Sequence, residues 1–116
     1  MTAEEKETIL QCAINTHGVL KQLDMLHEEM GELMTAINKM KRALPDGFVK
    51  QFDVIPYPLE TTSVDYSLKY FNLCSEVADV RILLSQLERM LCKESIDISE
   101  DRKLLRLKDR LSKNTY

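Results

Sequence analysis

The sequence is poor in the residues that interrupt or end helices. Its 116 residues include only three Gly, three Pro and no Trp. Because Gly and Pro are the residues least compatible with a helix interior, this composition predicts an all-α fold. No apolar run approaches the roughly 20 residues that a membrane-spanning helix needs. Residues 1–6 are acidic and polar, so no secretory signal is expected.

Cysteine and positive charge are also limited. Cys12, Cys74 and Cys92 are odd in number and lack metal-ligand spacing, so we expect reduced, partly buried thiols in a cytoplasmic protein. The net charge of -3 argues against a general nucleic-acid binder. It leaves open a nucleotide whose phosphates are held through metal ions. The length suits a single domain, residues 1–116, with one core.

Helix start and stop signals divide the chain into about four helices, two of them long and central. Thr2 followed by Glu4 and Glu5 predicts the first start, and Gly18 predicts the stop. Asp97-Ile98-Ser99-Glu100 resembles a break followed by a new cap. The helices are expected at about Thr2–Thr16, Val19–Ala43, Ser63–Cys92 and Ser99–Ser112.

A Pro-containing segment separates the two long helices. Pro45, Gly47, Pro56 and Pro58 exclude a continuous helix over residues 45–62. The segment is apolar and long for a connection within one domain, which is typical of a lid or an interface. A surface insertion without a role is the alternative.

Each long helix carries two carboxylates three residues apart. These are Glu29 and Glu32 in the second helix, and Glu76 and Asp79 in the third. Residues at this spacing lie on one face of a helix. Two such helices side by side would bring four acidic groups together, and such a cluster suits a hard divalent cation such as magnesium.

The helical positions of these acids are unusual for surface residues. At about 100° per residue, Glu76 points into the middle of an apolar stripe, and Asp79 lies at its edge. Glu29 flanks the apolar stripe of the second helix, and Glu28 falls opposite it. That stripe is predicted to consist of Val19, Leu23, Leu26, Met30, Leu33, Met34 and Ile37.

A carboxylate in an apolar stripe has to be protonated, paired or bound to a metal. Glu76 could therefore pair instead with a basic residue such as Lys69 or Lys39. Single acid pairs at this spacing are also common on helix surfaces. The presence of two pairs, with one acid inside a stripe, favours the metal interpretation.

The two acidic motifs resemble those of a known family. Glu28-Glu29-Met30-Gly31-Glu32 and Glu76-Val77-Ala78-Asp79 are similar to the EExxE and ExxD motifs of MazG-like nucleotide pyrophosphohydrolases, in the all-α NTP pyrophosphatase superfamily. The resemblance covers most of residues 15–92. The interval between Glu32 and Glu76 is longer here than is usual in that family, because of the Pro-containing segment.

The resemblance implies a magnesium- or manganese-dependent enzyme that cleaves nucleoside triphosphates to monophosphate and pyrophosphate. It implies a helical bundle completed by oligomerisation, as a homodimer or homotetramer. Glu29, Glu32, Glu76 and Asp79 would be the metal ligands, and Glu28 would orient or deprotonate water. Two further residues are candidates for contacting substrate, Lys39 at phosphate and Asn72 at base or ribose, although both could be ordinary surface or packing residues.

Other functions have less support in the sequence. A ferritin-like di-iron site needs Glu-x-x-His repeats, but neither His17 nor His27 follows a glutamate at that spacing. No Cys or Ser stands in an activating motif for nucleophilic catalysis. The remaining alternative is a catalytically inactive helical adaptor, or an inactive relative, that uses its Met- and Leu-rich faces for oligomerisation.

Overall fold

The computed structural model describes residues 1–44 and 54–113, and these residues form three helices. Helix α1 spans Ala3–Ala43, α2 spans Val64–Met90 and α3 spans Lys93–Ser112. The described residues contain no strand, so the all-α prediction is confirmed. No helix among them is sufficiently long and apolar to cross a bilayer.

Two predicted helix starts are confirmed by their caps. At the start of α1, the Thr2 hydroxyl accepts a hydrogen bond from the Glu5 amide at 3.1 Å, and the Glu5 carboxylate accepts from the Thr2 amide at 3.4 Å. This reciprocal pair is a capping box. At the start of α2, the Ser63 hydroxyl accepts from the Tyr66 amide at 3.1 Å. Both caps satisfy amides that have no partner within the helix.

Gly18 interrupts α1, but over a shorter stretch than predicted. The sequence predicted one helix ending near Thr16 and another beginning at Val19, whereas helical structure continues on both sides of Gly18. Gly18 has φ 80° and ψ 166°, a backbone region that is essentially restricted to glycine. The chain changes direction there, and the Gln22 amide group donates to the Ala13 carbonyl at 3.2 Å across the bend.

The predicted break at residues 97–100 is wrong. Helix α2 ends at Met90 with Leu91 as its C-cap, and α3 begins at Lys93 directly after its N-cap Cys92. Residues 97–100 are therefore inside α3. An ion pair between Lys93 and Asp97, at 3.2 Å and i,i+4 spacing, stabilises the first turns of this helix.

Helices α1 and α2 form an antiparallel hairpin, and its core lies between them. Leu26, Val80 and Leu83 are buried together, and Met25, Leu33 and Leu87 pack against them. Toward the connection between the helices, the buried Tyr66 hydroxyl donates to the Pro56 carbonyl at 2.6 Å. This bond fixes the returning chain to the start of α2.

The Pro-containing segment is only partly described. Residues 45–53 lie outside the described residues, and residues 54–63 lead into α2 without helical structure. Tyr57 from this stretch contacts Tyr70 and Phe71 edge-on, with ring centroids 5.6 and 5.9 Å apart. These contacts hold the segment against α2, and whether it acts as a lid or an interface stays a prediction.

The single chain is open rather than compact. Helix α3 packs only against α2 and contains no buried residue. The radius of gyration is 18.0 Å, against about 13 Å for a compact domain of this length. The described helices of one chain therefore do not close into the predicted four-helix bundle. Cys12, Cys74 and Cys92 are free and exposed, so the prediction of partly buried thiols is wrong.

Gly18→Ala should destabilise the protein by about 1–3 kcal/mol, because an L-residue is strained at this φ and ψ. Apart from the adjacent residues and the backbone of its own helix, no atom lies within 4 Å of the added Cβ, so the effect isolates backbone strain. Gly31→Ala is the matched control, since Gly31 lies in regular helix and is equally free of clashes. The control should be neutral or stabilising by up to about 1 kcal/mol. Chemical denaturation at one fixed protein concentration measures the free energy of unfolding of both variants. Equal changes in the two would contradict the conclusion that Gly18 is needed for its backbone conformation.

Candidate metal centre

Three carboxylates converge where α1 faces α2. Glu29 of α1 and Glu76 and Asp79 of α2 each offer an oxygen atom, and these atoms all lie within 4.8 Å of one another. All three residues are half-buried. The hairpin thus brings together three of the four acids that the sequence predicted as ligands.

Helix geometry explains why Glu29 and Glu76 meet. The inner face of α1 repeats at residues 22, 26, 29, 33, 36 and 40, and that of α2 at residues 73, 76, 80, 83, 87 and 90. Alternating steps of four and three residues keep a row of side chains facing a neighbouring helix. Glu29 and Glu76 occupy positions in these rows that would ordinarily hold Leu, between the apolar residues Leu26 and Leu33 on α1 and beside Val80 on α2.

The surroundings of Glu29 make its charged form unfavourable. Its pKa is raised from an ordinary 4.5 to about 6. Burial is the largest cause, followed by the charge of Glu32 and a hydrogen bond with the Glu32 carboxyl. The charges of Asp79 and Glu76 add smaller increases in the same direction. Without a cation, Glu29 therefore tends to hold a proton at a pH where an exposed glutamate has lost it.

Glu76 experiences the same kind of environment. Burial is again the first cause of its raised pKa, followed by the charges of Glu32 and Asp79 and a hydrogen bond with Glu32. Among the described residues, the Oε2 atoms of Glu29 and Glu76 are buried without a hydrogen-bond partner. Lys69, an alternative partner for Glu76, binds Asp65 at 2.9 Å instead, and Lys39 is exposed.

A divalent cation would satisfy these carboxylates together. Magnesium binds oxygen ligands at about 2.1 Å, so opposite ligands of one ion are about 4.2 Å apart. Oxygen atoms within 4.8 Å of one another need only small side-chain movements to reach that arrangement. Bound positive charge would also offset the mutual repulsion, which adds to the effect of burial in raising both pKa values.

The other predicted site residues lie around this group. Glu32 is exposed, yet it is close enough to raise the pKa of both Glu29 and Glu76. Glu28 is exposed and is not part of the converging group. Exposed Asn72 lies one turn before Glu76, on the Asp79 side of α2. Lys39 is exposed and ten residues beyond Glu29, about 15 Å along the helix.

Two buried glutamines lie in the hairpin two to three helical turns from the acidic group, and they were not singled out from the sequence. Gln22 and Gln86 are only 2% and 4% exposed, and the antiparallel register puts them at one level, a turn beyond the Leu26–Leu83 contact. The side-chain oxygen of each is buried without a partner among the described residues. Gln22 belongs to the inner row of α1, so its spacing from Leu26 and Glu29 is the sequence feature that could have predicted its burial.

Comparison of the chain with protein-family models, curated proteins and solved structures found no match. The resemblance to the MazG-like enzymes therefore depends on the residues of the two motifs alone. The geometry of the acidic group is an independent observation, because it follows from the packing of α1 on α2.

Without metal, the protein should lose stability as the pH rises. The pKa of Glu29 is higher in the folded protein, about 6, than its ordinary 4.5, so between these values the folded state binds more protons than the unfolded state. The free energy of unfolding then falls through this window and stays low above it. Urea denaturation in EDTA at about pH 4.5 and about pH 7 measures the difference.

Glu29→Gln should reduce this pH dependence, because it removes the carboxyl with the raised pKa. Glu28→Gln is the matched control, since it makes the same change at the neighbouring exposed position. The control should retain the slope of the unmodified chain. Equal slopes in both variants would show that Glu29 is not the group responsible.

Magnesium should raise the melting temperature at neutral pH. A ligand that binds only the folded state at about 100 times its Kd contributes roughly 2.7 kcal/mol, which corresponds to several degrees for a small domain. Thermal denaturation with magnesium and with EDTA tests this. Superimposable curves would be evidence against a cation site.

Glu76→Gln should abolish the increase in melting temperature, whereas Glu88→Gln, on the same helix but outside the acidic group, should not.

Proposed function

We propose that the protein is a magnesium-dependent nucleoside triphosphate pyrophosphohydrolase that releases pyrophosphate and the monophosphate. The observation that carries the proposal is the convergence of Glu29, Glu76 and Asp79 on one half-buried point between two helices. The residues and the order of the two motifs support it as a resemblance, although the interval between the motifs is longer than is usual in that family. In this proposal the enzyme acts on the cytoplasmic nucleotide pool.

Charge explains why a metal is required. A triphosphate carries several negative charges, and the four carboxylates of the site would repel it. Magnesium, when bound, neutralises phosphate charge and increases the acidity of water. Manganese, with the same preference for oxygen ligands, is the alternative cation. Glu29, Glu76 and Asp79 would hold the cation, with Glu32 at the exposed edge beside them.

The remaining work of the chain is to position substrate and water, since phosphoryl transfer depends mainly on positioning and electrostatics. Glu28, exposed next to Glu29, is proposed to orient water and accept its proton. Asn72 lies on the Asp79 side and is proposed to contact base or ribose. Lys39 is proposed to contact the far end of the phosphate chain, which its distance along α1 allows only for an extended substrate.

A second candidate function has its own supporting observation. Large apolar side chains such as Met34, Leu84 and Leu105 are exposed in the single chain. A catalytically inactive adaptor that oligomerises through such surfaces would need no metal chemistry. Pyrophosphate release over a panel of nucleotides, with magnesium and with EDTA, separates the two functions. No release from any nucleotide would reject the proposed enzyme and favour the adaptor.

Glu76→Gln should lower magnesium-dependent turnover at least about a hundredfold, because it removes a ligand that lies between the two helices. Glu88→Gln is the matched control on the same helix. Circular dichroism should show unchanged helicity in both variants. Full activity in Glu76→Gln would remove this residue from the site, and equal loss in the control would indicate a general structural effect.

A further inference from the structure

A surface pocket lies where the first turns of α1 meet the second half of α2. We call it the basic pocket. Its volume is about 470 Å³, which is within the roughly 300–1,000 Å³ of small-molecule sites. The residues that line it are Met1, Lys6, Ile9 and Leu10 from the start of the chain, and Arg81, Ile82 and Ser85 from α2.

The bend at Gly18 explains why these two segments meet. In the antiparallel register of the hairpin, Gln22 is level with Gln86, and α2 ends only four residues after Gln86. Lys6 precedes Gln22 by 16 residues, which is about 24 Å in a straight helix. A straight α1 would therefore carry Lys6 far past the end of α2. The bend instead places the residues before Gly18 against α2.

The two walls of the basic pocket are held together by contacts beside it. Glu7 of α1 forms an ion pair with Arg89 of α2. Leu10 and Ser85 line the basic pocket and also a neighbouring cavity that Glu7 and Arg89 border. The contact between the two segments is thus made without the two cations of the basic pocket, which leaves these cations available to a ligand.

The positive charge of the basic pocket is not compensated. Among residues 1–44 and 54–113, no ion pair includes Lys6 or Arg81, and no acidic side chain lines the pocket. The residues three and four positions from each cation, where a helical partner would lie, are all uncharged. Because the chain has 19 acidic and 16 basic residues, its overall charge does not explain this local excess of cations.

The rest of the lining is largely apolar. Ile9 and Ile82 are about half exposed, at 53% and 50%. The Ser85 hydroxyl donates to the Arg81 carbonyl at 3.0 Å, so its hydrogen is not free for an anion. No aromatic side chain of the described residues lines the pocket, whereas stacking on aromatic rings is a common way to hold a nucleobase. The lining therefore suits an anion with an aliphatic chain better than a nucleotide.

We propose that the basic pocket binds a monocarboxylate with an aliphatic chain, which is the chemistry of a medium-chain fatty acid. The Arg81 guanidinium would bind the carboxylate through two parallel hydrogen bonds, a geometry that arginine favours. The Lys6 ammonium would add a second positive charge from the other wall. The chain would lie along Ile9 and Ile82, where each methylene removed from water adds to the affinity.

The basic pocket is separate from the acidic group. At about 100° per residue, Arg81 and Ser85 lie about 140° and about 180° around α2 from Glu76. Glu76 meets the part of α1 that follows the bend, whereas Arg81 borders the part that precedes it. The proposal goes beyond the proposed function and does not depend on it, because neither metal nor nucleotide takes part.

Titration of the isotope-labelled protein with sodium octanoate, followed by heteronuclear NMR in EDTA and without nucleotide, tests the proposal. Saturable changes in amide chemical shift should cluster at residues 6–10 and 81–85. Octanol has the same chain without the charge, and butyrate has the charge on a shorter chain. Each should bind at least about tenfold more weakly than octanoate. Absence of saturable shifts with octanoate, shifts confined to other residues, or equal binding of octanol would overturn the proposal.

Arg81→Gln and Lys6→Gln should each weaken octanoate binding at least about tenfold, because each removes a charge-assisted contact. Arg102→Gln and Lys21→Gln are the matched controls, since they remove the same charges at exposed positions outside the pocket. The controls should bind octanoate like the unmodified chain, and circular dichroism should show equal helicity in all four variants. Unchanged binding in Arg81→Gln, or equal weakening in the controls, would refute the assignment. The titration of the unmodified chain locates the site whether or not the variants fold.

Discussion

The structure depends on two carboxylates that occupy places where packed helices ordinarily have leucine. Glu29 and Glu76 each lie in the inner row of one helix, so the contact that folds the hairpin also brings their charges together. Among residues 1–44 and 54–113, no ion pair joins a basic side chain to either carboxylate; Lys69 binds Asp65 and Lys39 is exposed. Burial between the helices therefore disfavours the charged forms of Glu29 and Glu76, which is why their pKa values are raised. A bound cation would compensate the charge of both carboxylates while they keep these positions between the helices.

The convergence of the acids could be predicted from the sequence because α2 has a clear apolar stripe with Glu76 at its centre. The matching face of α1 was harder to identify. Its inner row includes the polar residues Gln22 and Glu29, so the row does not stand out in the sequence as an apolar stripe. The predicted apolar stripe includes Val19, Met30 and Ile37, which are exposed in the structure. The two rows share Leu26 and Leu33, so hydrophobic spacing alone could not decide which of them faces α2.

The predicted helix boundaries agree with the structure where a single capping side chain determines the start of the helix. Thr2 and Ser63 have side-chain oxygens that cap helices, and both do so. Gly18 was identified as an interruption, but a single glycine with positive φ bends the chain without needing a loop. The predicted start at Ser99 failed because Ser and Asp are compatible with a helix interior when ion pairs such as Lys93–Asp97 stabilise the turns around them. Local signals give possible ends, and the packing and pairing of neighbours select among them.

The hairpin has two different long sides, and this asymmetry sets the surroundings of the proposed site. The acidic side contains Glu32, and a site that admits a charged ligand has to stay open to solvent there. The opposite side contains partly exposed apolar side chains such as Met30. Between the helices, Leu33 packs in the core one turn from Glu29, so apolar atoms lie next to the acidic group. The interior of the hairpin therefore stabilises the charges of Glu29 and Glu76 poorly, and a compensating positive charge has to come from the solvent on the acidic side.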